Sequence, residues 1–235
     1  MKKHTVAIVL AAGQGKRMNA SVPKQYLTIM EKPVIYYTLK AFQDSFVDEV
    51  FLVVGEGEEA YCRNEIIDKY GFSKVTSIVI GGKERYHSVY NALEKIEKID
   101  SIIFIHDGAR PFVNEDILIR SYEKAVECGA SIVAVPVKDT IKVVSKDSVV
   151  QSTPERSSLW SVQTPQTFSY DKIKKAYDKM IVLEKQGKLD VVITDDSMVM
   201  EMYGDTLVGV VQGSYENIKI TTPEDMIFAE KIIKG

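Results

Sequence analysis

Between Val9 and Gln25 the chain reads Val-Leu-Ala-Ala-Gly-Gln-Gly-Lys-Arg-Met-Asn-Ala-Ser-Val-Pro-Lys-Gln. Small residues at Ala11, Ala12, Gly13 and Gly15 clear side chains from a loop, and successive backbone N–H groups can then form a concavity for a polyphosphate. Lys16, Arg17 and Lys24 add counter-charge. Two better-known phosphate loops do not fit. A dinucleotide fingerprint needs a glycine where Met18 stands, and a Walker A loop needs four residues between its glycines followed by Lys-Ser/Thr. For the Gly-x-Gly taken alone, a solvated strand-to-loop turn stays open.

Further segments carry residue types suited to the same chemistry. In Gly81-Gly82-Lys83-Glu84-Arg85-Tyr86-His87-Ser88 the paired glycines expose backbone that can match a pyrimidine edge, and Ser88 offers a hydroxyl; a plain turn and helix start is the alternative. His106-Asp107-Gly108-Ala109-Arg110-Pro111-Phe112 places a carboxylate at the end of an apolar run. Asp107 is the metal candidate, because Mg²⁺ needs only one or two protein carboxylates when phosphate oxygens and water complete its octahedron. Capping of the next turn is the other role open to Asp107, and His106 reads as structural. Arg156, Trp160 and Gln163-Thr164-Pro165-Gln166-Thr167-Phe168 read as a return of the chain into the site, or as a Pro-bounded loop with an aromatic anchor. Ile193-Thr194-Asp195-Asp196-Ser197 opens a helical pattern that Thr or Asp can cap. Lys219, between two isoleucines of a predicted strand over 217–220, either faces solvent by alternation or reaches into the site.

The elements that would position these residues follow a βαβ series. Strands are predicted at Thr5–Leu10, Val50–Val54, Val75–Ile80, Ile102–His106 and Ile132–Val135, with helices at Pro33–Gln43, Glu58–Tyr70, Tyr86–Ile96 and Glu115–Cys128. A parallel sheet covered on both faces puts ligands at the carboxyl ends of its strands, so the loops after Leu10, Ile80 and His106 should converge. Residues 137–160 break the rhythm: alternation on either side of Lys146-Asp147-Ser148 predicts a protruding β-hairpin whose valines invite pairing with another chain.

At 235 residues, without a Pro/Gly/Ser-rich linker, the chain is expected to form one domain. A net charge of −3 without a long basic run gives no nucleic-acid footprint. No apolar run reaches the roughly 20 residues that span a bilayer. Cys62 and Cys128 have no metal-ligand spacing and no secretory segment ahead of them, so a reduced, cytoplasmic protein is expected.

Read together, the motifs resemble the 2-C-methyl-D-erythritol 4-phosphate cytidylyltransferase family over nearly the whole chain. The likeness rests on Leu10-Ala11-Ala12-Gly13-x-Gly15-x-Arg17-Met18, Pro23-Lys24-Gln25, Gly81-Gly82-x-Glu84-Arg85, His106-Asp107-x-Ala109-Arg110-Pro111, Asp139-Thr140, Leu159-Trp160, Thr164-Pro165-Gln166, Thr194-Asp195 and Asn217-Ile218-Lys219. The resemblance implies a Rossmann-like nucleotidyltransferase α/β sandwich, with a mostly parallel central sheet and a hairpin arm exchanged across a homodimer. It implies transfer of a cytidylyl group from CTP to a sugar-alcohol phosphate, with Mg²⁺ or another divalent cation, in the non-mevalonate isoprenoid pathway. Arg17, Lys24, Arg156 and Lys219 are then the catalytic cations. Ala11, Ala12, Gly13, Gly15, Gly82 and Ser88 hold the nucleotide. Asp107, Arg110, Thr140, Arg156, Thr164, Thr194 and Lys219 surround the second substrate, and Thr140 and Arg156 serve the neighbouring subunit. Three departures stand out: Gly108 for a common alanine, Lys83 for a frequent acidic residue beside the base, and Asp196-Ser197-Met198 for Glu-Ala-Ser. The alternatives are the related ribitol 5-phosphate enzyme, a sugar-nucleotide pyrophosphorylase using another nucleotide, and a catalytically silent nucleotide sensor.

Overall fold

The run Thr5 to Val9 carries no charge, and its alternation serves two faces at once: Val6 and Ile8 enter one hydrophobic cluster, Ala7 and Val9 another. A strand buried on both faces reads as a continuous apolar run. In the computed structural model, which describes residues 2–13 and 23–235, this run is β1 (His4–Leu10). Gly15, Lys16 and Arg17 lie outside the described residues.

A short hairpin follows, β2 (Thr28–Ile29) and β3 (Lys32–Pro33), then helix α1 (Val34–Asp44) and β4 (Glu49–Val54). Helix α2 (Glu59–Tyr61) continues as a π-helix over Cys62–Asp68, where the sequence predicts one regular helix. Next come β5 (Val75–Ile80), α3 (Arg85–Leu93), β6 (Ser101–Asp107), α4 (Glu115–Cys128) and β7 (Ala130–Pro136). The arm holds β8 (Val143–Val144) and β9 (Val150–Ser152), and the chain re-enters the body through β10 (Trp160–Ser169). Helices α5 (Tyr170–Lys185) and α6 (Asp196–Tyr203), strand β11 (Gly209–Gln212) and α7 (Pro223–Lys234) complete the chain.

The main sheet has seven strands in the order β11-β7-β10-β6-β1-β4-β5. All run parallel except β10, which lies antiparallel between β6 and β7. Two apolar layers enclose it. Ile35, Leu39 and Phe42 of α1 and Ile117 and Leu118 of α4 cover one face; Val89 and Leu93 of α3, Tyr177 and Met180 of α5 and Val199 of α6 cover the other. Full burial of each such side chain contributes roughly 1.5–3 kcal/mol.

Two further elements differ from the sequence expectation. The segment 163–168 is part of β10, a central strand rather than a loop. Its opposed direction brings Trp160 beside Pro136 and Gln166 beside Ile105, so its first half lies at the carboxyl end of the parallel strands. Residues 217–220 form no strand and join no sheet, and are fastened by bonds such as Ile220 N–H to the Ala109 carbonyl at 2.8 Å. The predicted arm is present. Val137 N–H donates to the Leu159 carbonyl at 3.0 Å where both its ends leave the sheet, and Ser148 takes φ +61° in its turn.

Candidate active site

Beyond the carboxyl ends of β1, β5 and β6 lies a cleft of about 620 Å³, lined by Leu10, Ala12, Gly13, Lys24, Gln25, Gly82 to Arg85, Ser88, Asp107, Ala109 and Lys219. That volume is ordinary for a small-molecule site. The three loops predicted to converge do so, as expected at the edge of a doubly covered parallel sheet.

Lys24 begins a single 3₁₀ turn, Lys24–Tyr26, and donates from Nζ to the Ile220 carbonyl at 2.9 Å. Gln25, buried beside it, donates its amide to the Ala11 carbonyl. The Ala11 N–H is spent on the Val53 carbonyl at 2.7 Å and its methyl group is in the core. Ala11 therefore shapes the loop, while Ala12 and Gly13 reach the cleft.

Asp107 closes β6 and is surrounded by cations. Its Oδ2 is 2.7 Å from Lys219 Nζ, its Oδ1 is 3.5 Å from Arg85 Nε, and Arg110 Nε is 3.9 Å away. Burial opposes the negative charge, but Arg85 and Lys219 outweigh it and hold the carboxyl far below the usual carboxylate range. Arg85 in turn places Nη2 at 2.8 Å from Asp196 Oδ2, and Asp196 accepts a 2.6 Å bond from the Tyr177 hydroxyl. Burial works against the Arg85 charge, and Asp196 followed by Asp107 raises its affinity for the proton above normal. The chain of contacts runs Tyr177–Asp196–Arg85–Asp107–Lys219, from the core to the cleft wall. Arg85 and Asp196 are the functional residues that reasoning from sequence missed. The signal available was a pair of adjacent carboxylates after Thr194 where one suffices to cap a helix: Asp195 accepts from Met198 N–H at 2.9 Å, which leaves Asp196 for another task.

His106 is structural. Its Nε2 faces the Arg110 carbonyl at 3.0 Å and must donate, so Nδ1 accepts from the Thr164 hydroxyl at 3.1 Å. Thr164 Oγ1 also accepts from Asp107 N–H at 3.1 Å. Burial pushes the imidazole pKa down to about 4, keeping it neutral. Thr164 thus supports Asp107 from behind and does not line the cleft. Arg110 is similarly diverted: its Nη1 donates to the Asn217 carbonyl at 2.7 Å, and Asn217 Nδ2 donates to the Thr164 carbonyl at 2.9 Å. These bonds hold the unpaired segment that presents Lys219. Gln166 spans β10 and α6, donating to Asp195 at 2.8 Å and accepting from Ser197 N–H at 2.8 Å.

Other predicted residues stand apart. Thr194 is exposed, with its hydroxyl 3.5 Å from Met198 Sδ. Thr140 and Arg156 are exposed in the arm, where Arg156 Nη1 donates to the Lys138 carbonyl at 3.2 Å; neither lines the cleft of its own chain. Ser88 lines the cleft, but its hydroxyl accepts from Gly82 N–H at 3.0 Å, so that donor is not available to a base. Gly108 has a local cause: a Cβ there would lie 2.8 Å from Ile35 Cδ1 and 2.9 Å from the Leu10 carbonyl oxygen. The described residues include no group of three or more His, Cys, Asp or Glu able to hold a metal.

Comparison with known proteins agrees with this geometry. The family model described as 2-C-methyl-D-erythritol 4-phosphate cytidylyltransferase matches residues 5–235. A protein of that name from Lachnoclostridium phytofermentans is 48% identical over 234 residues, covering 100% of this chain and 97% of the relative. One from Alkaliphilus metalliredigens is 49% identical over 227 residues, covering 96% and 91%. The crystal structure of 4-diphosphocytidyl-2C-methyl-D-erythritol synthase from Anaerococcus prevotii superposes with a TM-score of 0.85 at 32% identity, covering 100% of this chain and 97% of that one. The fold is the α/β nucleotidyltransferase fold of these structures, and the chain belongs to the 2-C-methyl-D-erythritol 4-phosphate cytidylyltransferase family.

Proposed function

We propose that the cleft joins CTP to 2-C-methyl-D-erythritol 4-phosphate, forming 4-diphosphocytidyl-2-C-methyl-D-erythritol and pyrophosphate for isoprenoid synthesis. The observation that carries this is the placing of Lys24 and the Asp107–Lys219 pair in one cleft with the glycine-rich 81–84 loop. A phosphate oxygen of the sugar alcohol attacks the α-phosphorus as the bond to the β-phosphate oxygen breaks, and the electron pair leaves with pyrophosphate. No covalent enzyme intermediate is required, so positioning and charge neutralisation supply the rate.

Lys24 neutralises the α-phosphate, the role the motif also gives Arg17, which lies outside the described residues, and Lys219 steers the attacking phosphate. Ala12, Gly13, Gly82 to Arg85 and Ser88 seat the nucleotide, a role the motif also gives Gly15, which lies outside the described residues. Asp107 aims the Lys219 ammonium through their 2.7 Å ion pair. Its ionised carboxylate also fits Mg²⁺ that arrives with the triphosphate. Arg85, Arg110 and Lys219 already surround that single carboxylate, so a divalent ion gains a favourable site only together with phosphate oxygens. When bound, the metal supplies further neutralisation of the triphosphate.

The second half of the site comes from a second subunit. Ile141, Val143, Val144, Val149 and Val150 of the arm are all exposed, and pairing two arms covers them. Arg156 and Thr140 then reach the other subunit's sugar-phosphate pocket together with its Arg110 and Thr194. The free thiols of Cys62 and Cys128 suit a reducing cytoplasm.

Pyrophosphate release tests the reading, with CTP, UTP and ATP each offered methylerythritol 4-phosphate or ribitol 5-phosphate. Release should require CTP and the methylerythritol acceptor; preference for ribitol phosphate would assign the protein to polyol activation instead.

A further inference from the structure

Glu184 stands on α5 with its side chain about a quarter exposed, outside the cleft, and both of its carboxylate oxygens are taken by the first turn of α3. The Tyr86 hydroxyl donates to Oε1 at 2.6 Å, and His87 Nε2 lies 2.9 Å from Oε2. The other ring nitrogen of His87 settles its tautomer. Nδ1 lies 3.2 Å from the Glu84 N–H, which can only donate, so Nδ1 accepts and the proton sits on Nε2, pointing at Glu184. Glu84 completes a capping box by accepting the His87 N–H on its own side chain. The imidazole is thus a rigid link with Glu184 on one side and the backbone of the 81–84 loop on the other.

Elsewhere the loop is tied at its start, where Gly81 N–H donates to the Val54 carbonyl at 2.8 Å. Gly82 packs directly on the His87 side chain, where an added Cβ would lie 2.3 Å from His87 Cβ, and its N–H is bound to Ser88. Gly82, Lys83 and Glu84 then line the cleft, although neither His87 nor Glu184 does. Burial is the largest single influence on the Glu184 carboxyl and opposes its charge, but the bonds from Tyr86 and His87 together outweigh it and favour the ionised form.

We propose that Glu184, acting through His87 and Tyr86, is a positioning residue that sets the shape of the cytidine-binding loop and hence affinity and selectivity for CTP. The inference rests on the assignment of this loop to the nucleotide. Two hydrogen bonds anchor one end of an otherwise exposed segment. Their loss lets the loop sample conformations that CTP must reorganise, which raises the apparent dissociation constant without touching the reacting atoms.

The test compares wild type with Glu184→Ala, Glu184→Gln, His87→Phe and the Glu184→Ala/His87→Phe double variant, by steady-state kinetics and by calorimetric titration of CTP. Glu184→Ala and His87→Phe should each raise the CTP KM and Kd about three- to tenfold. Both should lower the preference for CTP over UTP, while kcat and the KM for the sugar phosphate stay within about twofold of wild type. The double variant should be no worse than the worse single one, because both changes cut the same link. Glu184→Gln should lie near wild type, since its amide oxygen accepts from His87 Nε2 while its NH₂ group donates to the Tyr86 oxygen. An unchanged CTP Kd in Glu184→Ala, or a loss confined to kcat or to thermal stability, overturns the proposal. A wild type that binds CTP yet releases no pyrophosphate would instead refute the reaction assignment, with the brace still read by Kd. One that binds no CTP overturns both.

Discussion

Asp196 is a fully buried carboxylate whose charge is met by the Arg85 guanidinium at 2.8 Å and by the Tyr177 hydroxyl. Removing Asp196 leaves the buried Tyr177 hydroxyl without its acceptor and Arg85 with Asp107 alone, so Asp196→Ala should destabilise the protein by about 1–3 kcal/mol. The fall should appear as a lower urea midpoint at unchanged m-value. Lys24→Ala should behave in the opposite way. Lys24 donates to the Ile220 carbonyl at the edge of the cleft, while its proposed partner is the α-phosphate in the transition state. Turnover should drop about a hundredfold or more and the melting temperature should barely move. A Lys24→Ala enzyme with wild-type turnover would remove this residue from the mechanism. His106 gives stability a pH dependence of known sign. Its pKa falls from 6.5 to about 4 on folding because burial disfavours the imidazolium. The stabilisation is therefore complete above the unfolded value near 6.5 and is lost as pH falls toward 4, amounting to about 3 kcal/mol across that window. Unfolding curves of His106→Asn between those pH values should be flatter than those of wild type; parallel curves would show that His106 is not buried neutral.

Elements position these residues, and the strain in them is local. Met30 and Glu31 join β2 to β3 with φ of +46° and +65°, the left-handed pair of a two-residue hairpin turn that favours Asn-Gly. A Met30→Asn/Glu31→Gly variant should gain about 1 kcal/mol by chemical denaturation, and a loss would mean that these side chains do more than turn the chain. The parallel strands β1, β4 and β6 were legible because burial on both faces leaves a plain apolar signature, and the edge strand β5 because Val75, Ile78, Val79 and Ile80 still mark it as a β-branched run. β10 was not. Gln163, Thr164, Gln166 and Thr167 are polar yet buried, each satisfied by a specific partner that sequence periodicity cannot reveal. Residues 217–220 failed for the converse reason: Ile218 and Ile220 alternate with Asn217 and Lys219 as a strand would, but the segment is held by Arg110, Thr164 and Ala109 rather than by a ladder. At the site, Lys24, Asp107, Gly82, Ser88 and Lys219 were legible as local motifs and do meet in one cleft. Arg85 and Asp196 were not, because their partnership crosses more than a hundred residues of sequence.

The whole molecule presents its cleft on the body and Thr140 and Arg156 on an exposed arm, and the proposed dimer would complete each cleft with the arm of the other chain. Lys24→Ala and Arg156→Ala subunits, each nearly inactive alone, should regain activity when mixed, because one of the two composite sites in a heterodimer is then intact. Absence of recovery despite demonstrated subunit exchange would argue that Arg156 serves its own chain. The central claim is the bond made, and phosphorus NMR observes it directly. With CTP, Mg²⁺ and methylerythritol 4-phosphate, the monoester signal of the acceptor should give way to the paired doublets of a diphosphate diester as free pyrophosphate grows in equal amount. Pyrophosphate appearing with CMP while the acceptor signal persists would contradict cytidylyl transfer to the sugar phosphate.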